Sequence, residues 1–163
     1  MIDPPESKIP ITLPTKVLAV ALDKWGQTGE EHLIPIIGKS MRPLIQPGDQ
    51  VWIKHGYVNV RRGDVIVFLQ EEKMVAHRLL RICKDGSKTM VITKGDNTSY
   101  LDSPISAHQV IGRVLKIKRG DRWISIDTQV WRIGGWLIAI GMLGWATLYG
   151  WGRKIKHWLL GKR

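Results

Sequence analysis

Arg62-Gly63-Asp64-Val65-Ile66-Val67-Phe68-Leu69 reads as a tight turn followed by an unbroken apolar run. A short run of this kind, bounded by Gly-Asp, is the pattern of a strand buried on both faces. Upstream, Gln50-Val51-Trp52-Ile53-Lys54 alternates polar and apolar residues, as a half-buried strand does. Downstream, Met74 to Ile82, Thr89 to Thr93 and Val110 to Ile117 are β-rich, and Lys84-Asp85-Gly86-Ser87 supplies a hairpin turn between the first two. With almost no helical periodicity among them, these strands predict a mainly β fold, a compact curved sheet or barrel over residues 30–127.

The flanks differ from this core. Residues 1–29 carry Pro4, Pro5, Pro10 and Pro14, which suits an extended arm, followed by a short helix around Val17-Leu18-Ala19-Val20-Ala21-Leu22. That run is too short to span a bilayer, and no cleavage-site pattern follows a basic start, so no signal peptide is expected. From Trp131 to Trp151 no residue but Arg132 is charged. About 20 apolar residues cover a ~30 Å hydrocarbon layer. Trp131 and Trp136 near one end, and Tyr149, Trp151 and Trp158 near the other, resemble an interfacial aromatic belt. A membrane helix over 131–151 and a basic tail over 152–163 are therefore expected, a buried or amphipathic surface helix being the alternative.

Charge points the same way. The chain of 163 residues has a net charge of +11, which suggests an anionic partner. Arg153, Lys154, Lys156, Lys162 and Arg163 follow the apolar run directly, an arrangement that fits lipid headgroups before nucleic acid. Lys116, Lys118, Arg119, Arg122 and Arg132 precede it, so the count is nearly balanced. The denser tail favours a single-pass helix with a cytoplasmic tail and an extracytoplasmic domain. Cys83 is the single cysteine and permits no internal disulfide.

The stretch that could carry chemistry is Gly38-Lys39-Ser40-Met41-Arg42-Pro43, followed by Pro47-Gly48-Asp49. Two turns hold Ser40 in a short rigid segment, which is how a nucleophile is presented; a polar turn serine is the bland alternative. A serine nucleophile needs a base, and the base an orienting partner. His77 lies in the otherwise mostly apolar Met74-Val75-Ala76-His77-Arg78-Leu79, where a structural histidine is the competing reading. His32, His55, His108 and His157 lie in polar or terminal surroundings. Two carboxylates follow, Asp96 in Gly95-Asp96-Asn97 and Asp102 before Ser103-Pro104, and either could hold the imidazole tautomer.

The ordered set resembles the signal peptidase I family of membrane serine peptidases, in its endoplasmic-reticulum and archaeal-like branch. The similarity lies in Gly38-x-Ser40-Met41-x-Pro43, Arg62-Gly63-Asp64-Val65-Ile66-Val67-Phe68, Val75-Ala76-His77-Arg78-Leu79, and Lys94-Gly95-Asp96-Asn97 followed by Asp102, and spans roughly Ile36 to Val114. The resemblance implies a β-rich peptidase domain that cleaves preproteins after small residues. It implies Ser40 as nucleophile, His77 as general base and Asp102 as orienting acid, with Asp96, Gly38 and Met41 auxiliary. No cofactor or metal is implied, and the expected partners are a preprotein or peptide substrate and membrane lipid, not nucleic acid. Ile34, Ile36, Ile37 and Met41 are candidate pocket walls. The sequence departs from the family in two respects: its only candidate anchor follows the domain, and Gly38 stands where many relatives carry a hydroxyl.

Two other readings remain. A repressor-type self-cleaving peptidase would use lysine as base, and Lys73 lies an even offset from His77. A non-enzymatic basic binding module would interleave aromatic and basic residues, as Trp52-Ile53-Lys54-His55 hints.

Overall fold

In the computed structural model residues 31–56, 60–70 and 73–160 are described, without the side chains of residues 31, 73, 85 and 145–160. The arm and short helix expected over 1–29 lie outside the described residues.

Eight antiparallel strands form one sheet: β1 (Glu31–Pro35), β2 (Gln50–His55), β3 (Val65–Gln70), β4 (Lys73–Asp85), β5 (Lys88–Lys94), β6 (Ile105–Ser106), β7 (Val110–Arg119) and β8 (Arg122–Ser125). Their order is β1-β2-β7-β3-β4-β5-β6, with β8 paired to β7 beyond the stretch that β3 occupies. The sheet does not close into a barrel. Its edges are β1, β6 and the short β8, and β6 offers only two residues, both committed to β5.

The run that opened the sequence reading explains itself here. In β3, Val65 and Val67 enter one apolar cluster with Met41, Ile45, Val51, Ile53 and Ile117, while Ile66 and Phe68 enter a second with Leu79, Val91 and Ile105. Alternate side chains of one strand thus serve two cores, so every position is apolar. The hairpin after β4 turns on Gly86, whose φ of 59° lies in the left-handed region that glycine tolerates. His55 departs from the polar surroundings expected of it. It is buried and packs edge-on against His32 at 4.8 Å between ring centroids, because its strand turns that position inward. Trp52, on the opposite face, meets Trp123 edge-on at 5.7 Å.

Helix α1 (Gln129–Leu160) follows the sheet. Its 32 residues make it about 48 Å long. It is longer than the expected 131–151 and continues through most of the tail. Gly135 and Ala139 are buried, whereas Val130, Ile133, Leu137 and Ile140 are exposed. The helix is therefore apolar on its docked side and on its outer side. Among the described residues, no helix is long and apolar enough to cross a membrane.

Candidate active site

The segment between β1 and β2 holds Ser40. Its ends are tied by Ile36 N–H donating to Asp49 O and Gly48 N–H to Ile36 O, each at 2.8 Å. Met41 and Ile45 anchor it in the core, and Ser40 stays half-exposed. Arg119 staples it from the far end of β7. Its Nε and Nη2 reach the Asp49 carboxylate at 2.9 and 2.7 Å, and Nη2 also donates to Leu44 O.

That ion pair sets an acid limit on the loop. The hydrogen bond from Arg119 holds the Asp49 carboxyl below its ordinary 3.8, against the opposing effect of burial. A depressed carboxyl contributes stability that is present above its unfolded value and lost as pH falls through its folded value. Asp64 has the opposite sign, because burial raises its carboxyl and its ionised form costs stability above that range. The Arg119–Asp49 pair should lower the thermal midpoint on acidification below about pH 4, an effect that Asp64 opposes. Asp49→Asn should have a lower midpoint at neutral pH and a flatter profile below it, as read by a calorimetric pH series.

His77 sits on β4, opposite Ile66, and is 7% exposed. Its Nδ1 lies 2.6 Å from Asp102 Oδ2. Thr93, fully buried on β5, donates its hydroxyl to the same Oδ2 at 2.7 Å, and its carbonyl accepts the Asp102 N–H at 3.0 Å. Asp102 is thus held by backbone and side chain together. Asp96 is engaged elsewhere: its two oxygens accept from Arg78 Nε and Nη2 at 2.8 and 2.6 Å, and both side chains are nearly buried.

The turn between these carboxylates brings serine and histidine together. Asn97 N–H donates to Ser40 O at 2.7 Å. A Cβ on Gly95 would fall 2.7 Å from Ser40 O and 3.0 Å from His77 Nε2, so only glycine lets the turn approach both. Among the described residues no hydrogen bond joins the Ser40 hydroxyl to His77. Gly38 has open space about it, a Cβ there meeting only Ser40 Oγ at 3.9 Å.

Ser40, His77 and Asp102 therefore converge, Gly38 lies beside them, and Asp96 braces the neighbouring turn. Met41 belongs to the core, as does Ile34; only Ile37 of the expected pocket walls is strongly exposed. Among the described residues, no cluster of His, Cys, Asp and Glu could hold a metal.

Thr93 was not singled out from sequence, because a buried strand threonine looks like any β-branched residue until its partner is seen. We expect Thr93→Val to slow turnover by about ten- to a hundredfold, since a hydrogen bond to a charged group is worth about 1.5–3 kcal/mol. Thr93→Ser, which keeps the hydroxyl, should restore the rate. Initial rates on both variants, alongside a melt, check this.

An antiparallel β domain presenting a serine turn beside a carboxylate-bound imidazole is the layout of a serine peptidase. The chain belongs to the Peptidase S24-like family, which it matches over residues 8–115. It is similar to Signal peptidase I W of Bacillus subtilis (strain 168), 34% identical over 79 residues that cover 46% of this chain and 42% of that protein. It is also similar to the signal peptidase complex catalytic subunit sec11 of Dictyostelium discoideum, 27% identical over 135 residues, or 78% and 69% of the two chains. The SEC11 catalytic subunit of Ogataea parapolymorpha is 32% identical over 90 residues, 47% and 50% of the two. The matched part thus spans from under half to about two thirds of these relatives. They support the kinship with the signal peptidase I family that the motifs suggested.

Proposed function

We propose that this protein is a membrane-anchored serine endopeptidase that cleaves preproteins after small residues, with Ser40, His77 and Asp102 as its reacting set. The observation that carries the reading is the 2.6 Å contact of His77 Nδ1 with Asp102, which leaves Nε2 beside the Ser40 turn. In acyl transfer, Ser40 Oγ attacks the scissile carbonyl as His77 Nε2 takes its proton. His77 then protonates the leaving amine and activates a water that hydrolyses the ester. The oxyanion rests on the Ser40 N–H and a neighbouring amide, since Gly38 offers no side-chain donor. Substrate lies extended along an edge strand; β1 is such an edge and runs directly into the serine loop.

The lysine-based alternative fits less well. Lys73 stands four residues before His77 on an unbroken strand, about 13 Å away along it. The binding-module reading loses its interleaved motif, because Trp52 packs on Trp123 and His55 is buried.

The membrane anchor is assigned from the sequence alone, to the uncharged run between Arg132 and Arg153 with its flanking aromatic residues, although the described part of α1 is not by itself long and apolar enough to cross. The basic residues after Trp151 put its end in the cytoplasm and the β domain outside. The test is the N-terminal sequence of secreted proteins from cells with and without intact Ser40, alongside external protease on intact spheroplasts. Mature N-termini should depend on Ser40, and the β domain should be digested. Full protection of the domain until the membrane is broken would remove the secretory-processing reading.

A further inference from the structure

Helix α1 touches the β domain at one place with no room to spare. A Cβ on Gly63 would fall 2.4 Å from Trp136 N and 2.5 Å from Gly135 C. A Cβ on Gly135 would fall 2.5 Å from Gly63 O and 3.0 Å from Arg78 Nη1. Backbone thus lies on backbone, and two glycines are what permits it. Gly63 also has a φ of 94°, so its turn is doubly dependent on glycine. One helical turn earlier, Arg132 approaches Asp64 at 3.8 Å on the same docked face.

From this contact a continuous set of short hydrogen bonds leads to the reacting residues. Gly63 O accepts from Arg78 Nη1 at 2.7 Å. The other two nitrogens of that guanidinium donate to both oxygens of Asp96. Asp96 sits in the turn whose Asn97 N–H holds Ser40 O, and whose Gly95 packs against Ser40 O and near His77 Nε2. Arg78 itself is 4% exposed, so it has no solvent to fall back on if one of these acceptors moves.

We propose that α1 is a positioning element of the active site as well as an anchor, and that Gly135 is the residue through which it acts. Seated on Gly63, it fixes the carbonyl that aims Arg78, and Arg78 fixes the turn that sets Ser40 against His77. Lifting the helix by the width of a side chain frees that carbonyl to shift. A displacement of about 1 Å at reacting atoms costs on the order of 10²-fold in rate, so a partial shift registers in kcat. This inference rests on the reading of Ser40, His77 and Asp102 as the reacting set.

The helix supplies its own control. Gly134 adjoins Gly135, yet a Cβ there would meet nothing within 4 Å. Gly134→Leu and Gly135→Leu change helix propensity equally and add the same apolar group. The experiment compares both, with Gly135→Ala as a milder step and Ser40→Ala as reference, using the full chain in one bilayer composition and a peptide substrate. We expect Gly135→Leu to lower kcat at least tenfold with KM within twofold, Gly135→Ala to fall between, and Gly134→Leu to match the parent. The labelling rate of Ser40 by a serine-reactive probe should follow kcat. Equal activity of Gly134→Leu and Gly135→Leu, at either high or low level, would overturn the coupling while leaving the site intact. Should Gly135→Leu fail to fold, Gly135→Ala decides the matter: a parental kcat overturns the proposal, and a reduced kcat at unchanged KM upholds it. Retention of activity by Ser40→Ala would instead remove the site reading itself, and this inference with it.

Discussion

Ser40→Ala is expected to abolish cleavage of a signal-bearing preprotein while leaving the thermal midpoint within a degree or two of the parent. Both halves follow from where the hydroxyl sits. Ser40 is half-exposed on a loop held by backbone bonds at 36, 48 and 49 and by the Arg119–Asp49 pair, none of which uses its side chain. Removing one exposed oxygen therefore opens no cavity and strands no partner. The rate has no such reserve, because acyl transfer needs an atom to attack and alanine offers none. Turnover measured together with a melt separates the two. Activity above a tenth of normal would mean that Ser40 is not the nucleophile.

The second large effect distinguishes two carboxylates six residues apart. Asp102→Asn should leave the fold intact and slow turnover by about 10³- to 10⁴-fold, as an amide presented to Nδ1 selects the wrong imidazole tautomer. The Asp102 N–H still reaches Thr93 O, and the Thr93 hydroxyl, facing the amide nitrogen that stands in place of Oδ2, can turn to accept from it, so stability is little changed. Asp96→Asn should act chiefly through stability, with a smaller loss of rate through the turn that Arg78 and Asp96 position. It breaks a bidentate pair with Arg78 in which both side chains are nearly buried, and losing such a partner costs about 3 kcal/mol. Melts and initial rates on both variants provide the check. If Asp96→Asn is the slower enzyme at an unchanged melting temperature, the roles are reversed.

His77→Ala should be as damaging to the rate as Ser40→Ala. Turnover by that variant within tenfold of the parent would favour a lysine base.

The local sequence was enough for everything that depends on a short window. Hydrophobic alternation placed β2, the unbroken run placed β3, and Gly86 marked the hairpin between β4 and β5, because side-chain period and turn chemistry are properties of neighbouring residues. The order of Ser40, His77, Asp96 and Asp102 was also legible as a motif. The division of labour between the two acids was not. Asp96 and Asp102 occupy similar polar loops in the sequence, and only the pairing of β4 with β5 put one beside Arg78 and the other beside His77 and Thr93. Short strands escaped as well: β1, β6 and β8 have two to five residues, too few to show a period, and exist because longer neighbours offer them a ladder. Closure of the sheet was equally a matter of distant pairing, and it fails where β6 ends after two residues. Met41 reads as a candidate pocket wall until the loop folds back over the core, and Gly135 as one of several helix glycines until Gly63 is laid against it. Contacts between residues far apart in sequence decide such roles, since a side chain's chemistry is set by what it touches, and that is a property of the assembled sheet and helix.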